Sequence, residues 1–460
     1  MANIISPLDG RYHSKTKELC QFFSEKAFFK YRLFVELKYF LQLIDYLDEL
    51  KDLNKIIVHD KLIRYYQNFS DEDYNTVKKY EFDTNHDIKA LEYYIQTIFI
   101  TEGLAEYIPF IHFGLTSQDI NTSANILSLK DSMNNVVKPF LHKIVEILDL
   151  YNADMSKNIM LSFTHGQPAV PTTMGKELNV YKYRLNVQLD NLNHAIYSTK
   201  FGGAVGNFNA HKLAYPNIDW NDFADKFIHN ELELVRETYT TQISNYDNIC
   251  NIFNQIKCIN NIINDLNIDC WLYISKGYLK QRINTNETGS STMPHKVNPI
   301  NFENSEGNIC IANSLIEGIT RKLPISRLQR DLTDSTILRN IGCVIGYSLL
   351  SYKSTLEGLQ KIQVDNDVIK NELHKSSIVL SEGVQTVMRK HKINDSYEKL
   401  KKLTRLDKEI KSDDIQFFIH NLDDKIQNEL KHLTVENYIG YSGGYIPLTP
   451  CSTKGERSEP

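Results

Sequence analysis

The stretch Ile249-Cys250-Asn251-Ile252-Phe253-Asn254-Gln255-Ile256-Lys257-Cys258-Ile259-Asn260-Asn261-Ile262-Ile263-Asn264-Asp265-Leu266-Asn267-Ile268-Asp269-Cys270-Trp271-Leu272-Tyr273 has the clearest period in the chain. Ile249, Ile252, Ile256, Ile259, Ile263, Leu266, Cys270 and Tyr273 recur in steps of three and four. That spacing gathers them on one stripe of an α-helix, and so regular a stripe predicts a seam buried against other helices. Four more segments read the same way: residues 116–151 with a kink near Pro139, 173–199, 302–322 and 331–362. In the last of these, Leu338, Ile341, Ile345, Ser348, Tyr352, Leu359 and Ile362 share a face. At 1.5 Å rise per residue such helices are about 30–50 Å long, and the expected fold is all-α with a central elongated five-helix bundle.

Three helical domains are expected around this bundle. Residues 1–105 form a smaller N-terminal domain, with Phe29, Leu33, Leu37, Phe40 and Ile44 on one helix. A second helix there carries Ile88, Leu91, Ile95 and Ile98, with Asn85 as its expected N-cap. Residues 106–362 hold the bundle and residues 363–460 a C-terminal helical domain with an irregular tail from Tyr441. Helices of this length present more apolar surface than one bundle covers, so a symmetric homo-oligomer is expected.

Lys plus Arg number 52 and Asp plus Glu 57, a net charge of −5, which argues against a protein that coats nucleic acid. Seven cysteines without CxxC spacing indicate neither a disulfide framework nor a zinc site and point to a reducing compartment. The opening residues lack the basic and apolar regions of a signal peptide, and no apolar run approaches a membrane span, so a cytoplasmic location is expected.

Two stretches break the helical pattern. Thr288-Gly289-Ser290-Ser291-Thr292-Met293-Pro294-His295-Lys296-Val297-Asn298-Pro299 contains a glycine and two prolines, so a loop is predicted over 284–300. Four hydroxyls and a lysine suit a loop that grips an anion and closes over it, although such residues also make ordinary surface loops. Ser162-Phe163-Thr164-His165-Gly166-Gln167-Pro168-Ala169 places a histidine, the natural acid near neutral pH, in a second punctuated segment. Thr116-Ser117 opens a helix whose free N–H groups are either capped by the hydroxyl or open to a carboxylate or phosphate. Ser335 and Arg339, four residues apart, share a helix face with Arg330 at its entrance. They form an anion clamp, or else surface arginines paired with Asp331 and Asp334. The histidines are scattered, HExxH and GxSxG are absent, and Gly202–His211 is not a P-loop, which leaves acid–base chemistry without a metal.

The 288–299 string resembles the GSSxMPxKxNP signature of the fumarase/aspartase superfamily. Its Pro294-His295-Lys296-Val297-Asn298-Pro299 ending, with its surroundings, resembles the adenylosuccinate lyase family over residues 1 to about 440. The resemblance implies a homotetramer whose active sites are shared by three subunits. It implies a cofactor-free elimination of fumarate from N6-succinyl-AMP and from the succinyl-carboxamide ribotide of purine synthesis. By resemblance His165 is the general acid and Ser291 the base; spacing alone does not choose Ser291 over Ser290. Met293, Lys296 and Asn298 are implied to contact substrate, and Glu303 to pair with the catalytic histidine, though read alone it is an ordinary first-turn glutamate. Arg330, Ser335 and Arg339 are implied to hold phosphate, and Thr116 and Ser117 a carboxylate. Arg11, Tyr12, Asn85, His86, Asp87 and Gln242 are implied as further contacts, with His86 at the succinyl end. Phe163 stands where related bacterial enzymes often carry Arg, and the tail ending in Pro460 departs from the family. The rival readings are another lyase of the superfamily, such as argininosuccinate lyase, and a non-catalytic structural protein on the same scaffold.

Overall fold

The computed structural model describes residues 4–282, 293, 295–405 and 412–442. Ser291 and the tail beyond 442 lie outside the described residues. The all-α expectation holds: helices dominate, and the sheets among the described residues are two-stranded. The chain divides into two compact units. Met1–Ile144, Leu185–Asn267 and Ile300–Glu357 form the first; Val145–Arg184, Ile268–Pro299 and Gly358–Pro460 form the second.

The periodic stripe is the helix Asp247–Ser275, 29 residues long. Ile249, Ile252, Ile256, Ile259, Ile263, Leu266 and Cys270 are all buried. At about 1.5–3 kcal/mol for each buried large aliphatic side chain, this face dominates the helix's stability. Within the first unit a polar ladder runs beside the apolar seam. Asn260 Nδ2 donates to Asn313 Oδ1 (2.9 Å) and Ser348 Oγ (3.2 Å), and Tyr352 Oη donates to Asn260 Oδ1 (2.6 Å). Seven residues further on, Asn267 Nδ2 donates to Ser305 Oγ (2.8 Å) and its Oδ1 accepts from Thr355 Oγ1 (2.9 Å).

Local chemistry shifts three expected boundaries. The kink near Pro139 takes the form of a π-helical turn, Met133–Val137, between the helices Ser117–Ser132 and Lys138–Asp154. Proline lacks the N–H that an α-helical carbonyl needs, and the wider turn absorbs the mismatch. The expected 331–362 helix is two, Thr333–Leu338 and Ile341–Leu359. Asn340 Nδ2 donates back to the carbonyls of Thr336 (3.3 Å) and Ile337 (3.4 Å), competing with the helical ladder. Ile362 then leaves the helix for the strand Ile362–Val364, paired with Leu279–Gln281.

Asn85 is not an N-cap. At φ +51° it closes the helix Asp71–Thr84, its N–H bonded to Glu81 O (2.8 Å). His86 caps the next helix, Asp87–Thr101, its Nδ1 accepting the Lys89 N–H at 3.1 Å. Two helices abut here without a linker, so one residue must turn left-handed, and asparagine tolerates that best after glycine.

In the second unit, strands β1 (Ile159–Thr164) and β2 (Gln167–Thr173) form an antiparallel hairpin. Its Leu161 joins Leu373, Leu380, Val384, Met388, Ile415, Ile419 and Ile426 in a core built from the C-terminal helices.

Candidate active site

In the first unit the expected clamp residues converge around the short helix Thr333–Leu338. Arg330 Nη2 donates to Ser335 Oγ (3.4 Å) and its Nη1 to Gln242 Oε1 (3.2 Å), while Gln118 Nε2 donates to Ser335 Oγ (3.3 Å). Ser335, Arg339, Gln118, Arg32 and Asp87 line one cavity of about 440 Å³. The two nearby aspartates do not neutralise these arginines. Asp331 accepts from Arg327 (2.9 Å) and from the Thr333 N–H (2.8 Å). The Thr333 bonds hold its carboxyl down at about 2. Asp334 is buried and accepts from Tyr246 Oη at 2.8 Å. Among the described residues neither Arg330 nor Arg339 has an ion-pair partner. Two guanidiniums without a direct ion pair, beside a hydroxyl, suit an oxyanion such as a phosphate or a carboxylate.

Asp87, at the head of its helix, accepts from Arg32 Nη2 (2.6 Å) and from the Ile88 N–H (2.9 Å). Burial disfavours its charge, but the Arg32 guanidinium and the helix N–H outweigh that and hold the carboxyl below its ordinary range. Arg32 is itself buried, donates through Nε to Asn121 Oδ1 (2.8 Å), and lies 3.9 Å over the Phe28 ring. It thereby ties the start of the Asp87 helix to the helix Ser117–Ser132. His86 is exposed beside Asp87, while Thr116 and Ser117 are half-buried where that second helix begins. The Thr116 N–H donates to Asp119 Oδ2 at 2.9 Å. Arg11 is exposed, and half-buried Tyr12 accepts through Oη from Asn304 Nδ2 (3.3 Å).

In the second unit His165 and Gly166 are the two turn residues of the β1–β2 hairpin, with φ +54° and +73°. A two-residue hairpin turn of this twist needs positive φ at both places, which glycine accepts freely and histidine does not. The imidazole is exposed at the tip. Below it the Phe163 ring packs on Tyr278 (6.1 Å between centroids), with Lys276 Nζ 3.6 Å from the ring centre. Met293 and Lys296 are exposed and Asn298 is half-buried in the segment approaching Ile300. Glu303 is exposed on the first turn of Ile300–Lys322, in the first unit.

Sequence reasoning missed Arg32, Gln118, Asp119 and Lys200. Arg32 sits in an aromatic helical stripe and Lys200 in Ser198-Thr199-Lys200-Phe201, where a charge between core residues was the available signal. A half-buried histidine, His112, and a buried one, His211, lie in the same unit. His112 Nδ1 lies 2.5 Å from Glu36 Oε1; burial opposes its protonation, but that carboxylate prevails and its pKa is raised. His211 is bonded to Tyr39 Oη (3.0 Å), and burial pushes its pKa down to about 4.

The fold is shared with known proteins. A fumarate lyase from Mesorhizobium sp. BNC1 superposes with a TM-score of 0.74 at 15% identity, covering 93% of this chain and 96% of that one, which shows a shared lyase fold. The family described as Lyase matches residues 10–312, and the one described as Adenylosuccinate lyase C-terminal matches residues 326–439. The chain is a carbon–nitrogen lyase of that superfamily.

Within it, the adenylosuccinate lyase of Dictyostelium discoideum is 48% identical over 450 residues, 95% of this chain and 96% of that protein. The adenylosuccinate lyase of Buchnera aphidicola subsp. Schizaphis graminum is 44% identical over 447 residues, 96% and 97% of the two chains. The chain belongs to the adenylosuccinate lyase family. No helix among the described residues is long and apolar enough to cross a membrane.

Proposed function

We propose that this chain eliminates fumarate from N6-succinyl-AMP to give AMP, and from the succinyl-carboxamide ribotide to give the free carboxamide ribotide, as a cytoplasmic homotetramer with shared active sites. The observation that carries the reading is Arg330 bonded to Ser335, with Ser335 and Arg339 together lining a cavity of about 440 Å³. Phosphate binds there, supported by Gln242.

At the other end of the substrate, Thr116 and Ser117 hold a succinyl carboxylate on the N-terminus of their helix, where the helix dipole favours an anion. His86 assists at this end, between Asn85 and Asp87, and Arg11 and Tyr12 complete the enclosure. Ser291 as alkoxide removes the proton from the carbon beside a carboxylate. The carbanion collapses to the fumarate double bond as the C–N bond breaks, and its electron pair goes to the departing purine nitrogen. His165 as imidazolium protonates that nitrogen. Lys296 supplies positive charge to the serine and the carbanionic carboxylate, Met293 and Asn298 contact the substrate, and Glu303 supports His165. No cofactor or metal takes part. The resemblance to the lyase superfamily implies that different copies of the chain supply these residues.

The test mixes purified protein with N6-succinyl-AMP and follows the ultraviolet spectrum of the purine. Conversion to AMP with stoichiometric fumarate is expected, inhibited by AMP and not by arginine. An unchanged spectrum across pH and salt removes the assignment, and turnover of argininosuccinate instead transfers it to the neighbouring family.

A further inference from the structure

Asp119 and Lys200 form an ion pair with no exposure of either side chain, Nζ to Oδ1 2.6 Å. Desolvation consumes most of the attraction in such a pair, so stability alone is a poor account of it. Its connections are more informative. The Asp119 carboxylate also accepts the N–H groups of Thr116 (2.9 Å), Gly202 (2.9 Å) and Gly203 (3.1 Å). Lys200 Nζ donates in turn to the Gly203 carbonyl (2.5 Å). One carboxylate thus bolts the Thr116–Ser117 helix start to the glycine turn 202–206.

That turn is seated against the segment leading to Gln242. Gly206 has φ +81°, and a Cβ there would stand 2.6 Å from the Thr240 carbonyl oxygen. Two residues later Gln242 accepts from Arg330 (3.2 Å). Electrostatics runs along the same path: burial holds the Lys200 ammonium below its ordinary range, Asp119 opposes this, and the Arg330 charge adds to it. From Thr116 to Arg330 the contacts are continuous, and all lie in the first unit.

We propose that Asp119 and Lys200 are positioning residues whose buried pair fixes the spacing between the carboxylate grip at Thr116–Ser117 and the phosphate clamp at Gln242–Arg330. This rests on the reading that those two places hold opposite ends of one substrate. Neither side chain reaches solvent, so neither touches the substrate. A ligand spanning both places depends on the spacing. A fragment occupying one of them does not.

The experiment compares the full chain with Asp119→Asn and with Asp119→Asn/Lys200→Met, which removes both charges. Turnover of N6-succinyl-AMP is measured together with inhibition by AMP alone and by fumarate alone. For the variants kcat/KM should fall about 10²-fold, the scale of a sub-ångström to ångström misplacement of a bound substrate, while either fragment weakens less than about threefold. Equal weakening of substrate and fragments, or no change in any of them, overturns the positioning role. Should Asp119→Asn be insoluble, Gly206→Ala carries the test, because its Cβ displaces the Thr240 segment and leaves the ion pair intact. The same split between substrate and fragments is then expected, and its absence counts against the proposal. An active wild type with unaffected variants overturns the positioning role alone. An inactive wild type overturns the functional reading and this role with it.

Discussion

The clamp region of the first unit and the His165 hairpin of the second differ in how much of their geometry each makes for itself. Around Ser335 most of the polar groups are tied to one another: Gln118, Arg330 and Gln242 form a bonded chain, and Arg32 locks Asp87 from behind. At the hairpin tip the imidazole stands exposed on a left-handed residue, two positions beyond Phe163, whose ring packs on Tyr278 and Lys276. Recognition of charge needs a prepared site, since reorganising dipoles around an anion costs binding energy. A proton donor needs reach, and a tight turn delivers it at the cost of about 1–2 kcal/mol of backbone strain.

The largest expected effect tests that division directly. His165→Ala should lower kcat by about 10²–10⁴-fold, the range for losing a positioned general acid, while AMP still inhibits at its usual concentration. Steady-state kinetics with AMP competition reads both, and near-normal turnover would return the histidine to a turn-forming role only.

Next in size is a pH effect confined to the first unit. Folded His211 stays neutral down to about 4, whereas the unfolded chain takes up its proton near 6.5. The unfolded state therefore binds more protons between those values, and stability falls as pH drops through that window, by up to about 3 kcal/mol. Urea unfolding from pH 7 to pH 4.5 checks this, and His211→Gln should flatten the slope.

A smaller loss is expected on the binding side. Arg339→Ala should weaken AMP about 10–100-fold, as for one charge-assisted contact, with stability nearly unchanged because the side chain is exposed and unpaired. Titration calorimetry with AMP measures it. The smallest effect runs the other way. His165→Asn should abolish the acid yet raise stability by about 0.5–1 kcal/mol, because asparagine accepts a left-handed turn more readily. A lowered melting temperature would show that the turn is not strained by its histidine.

What the sequence disclosed follows from range of interaction. The seam Ile249 to Cys270 was legible because helical burial repeats every three to four residues. The clamp was legible only as residue types, since the choice between Asp331 and open solvent as partner of Arg330 depends on Gln242, 88 residues away. The hairpin around His165 escaped as strands because Pro168 and Pro171 sit in β2, and only an edge position tolerates them. The sequence puts Asn85 one helix too late because Thr84, Asn85, His86 and Asp87 are all capping candidates, and only the abutment of two helices makes Asn85 left-handed. The Asp119–Lys200 pair spans 81 residues and belongs to no local pattern.

The asparagine rungs at 260 and 267 have a mechanical implication for assembly of the first unit. Apolar seams of isoleucine are nearly self-similar after one helical turn, so a neighbouring helix could slide by that step at little cost in oil-like contact. The rungs remove the degeneracy: a slipped partner would strand the amides of Asn260 and Asn267 opposite methyl groups, at a penalty of about 1–3 kcal/mol for each orphaned group. They act as teeth in a ratchet, and replacing them with leucine would trade a single docking position for several.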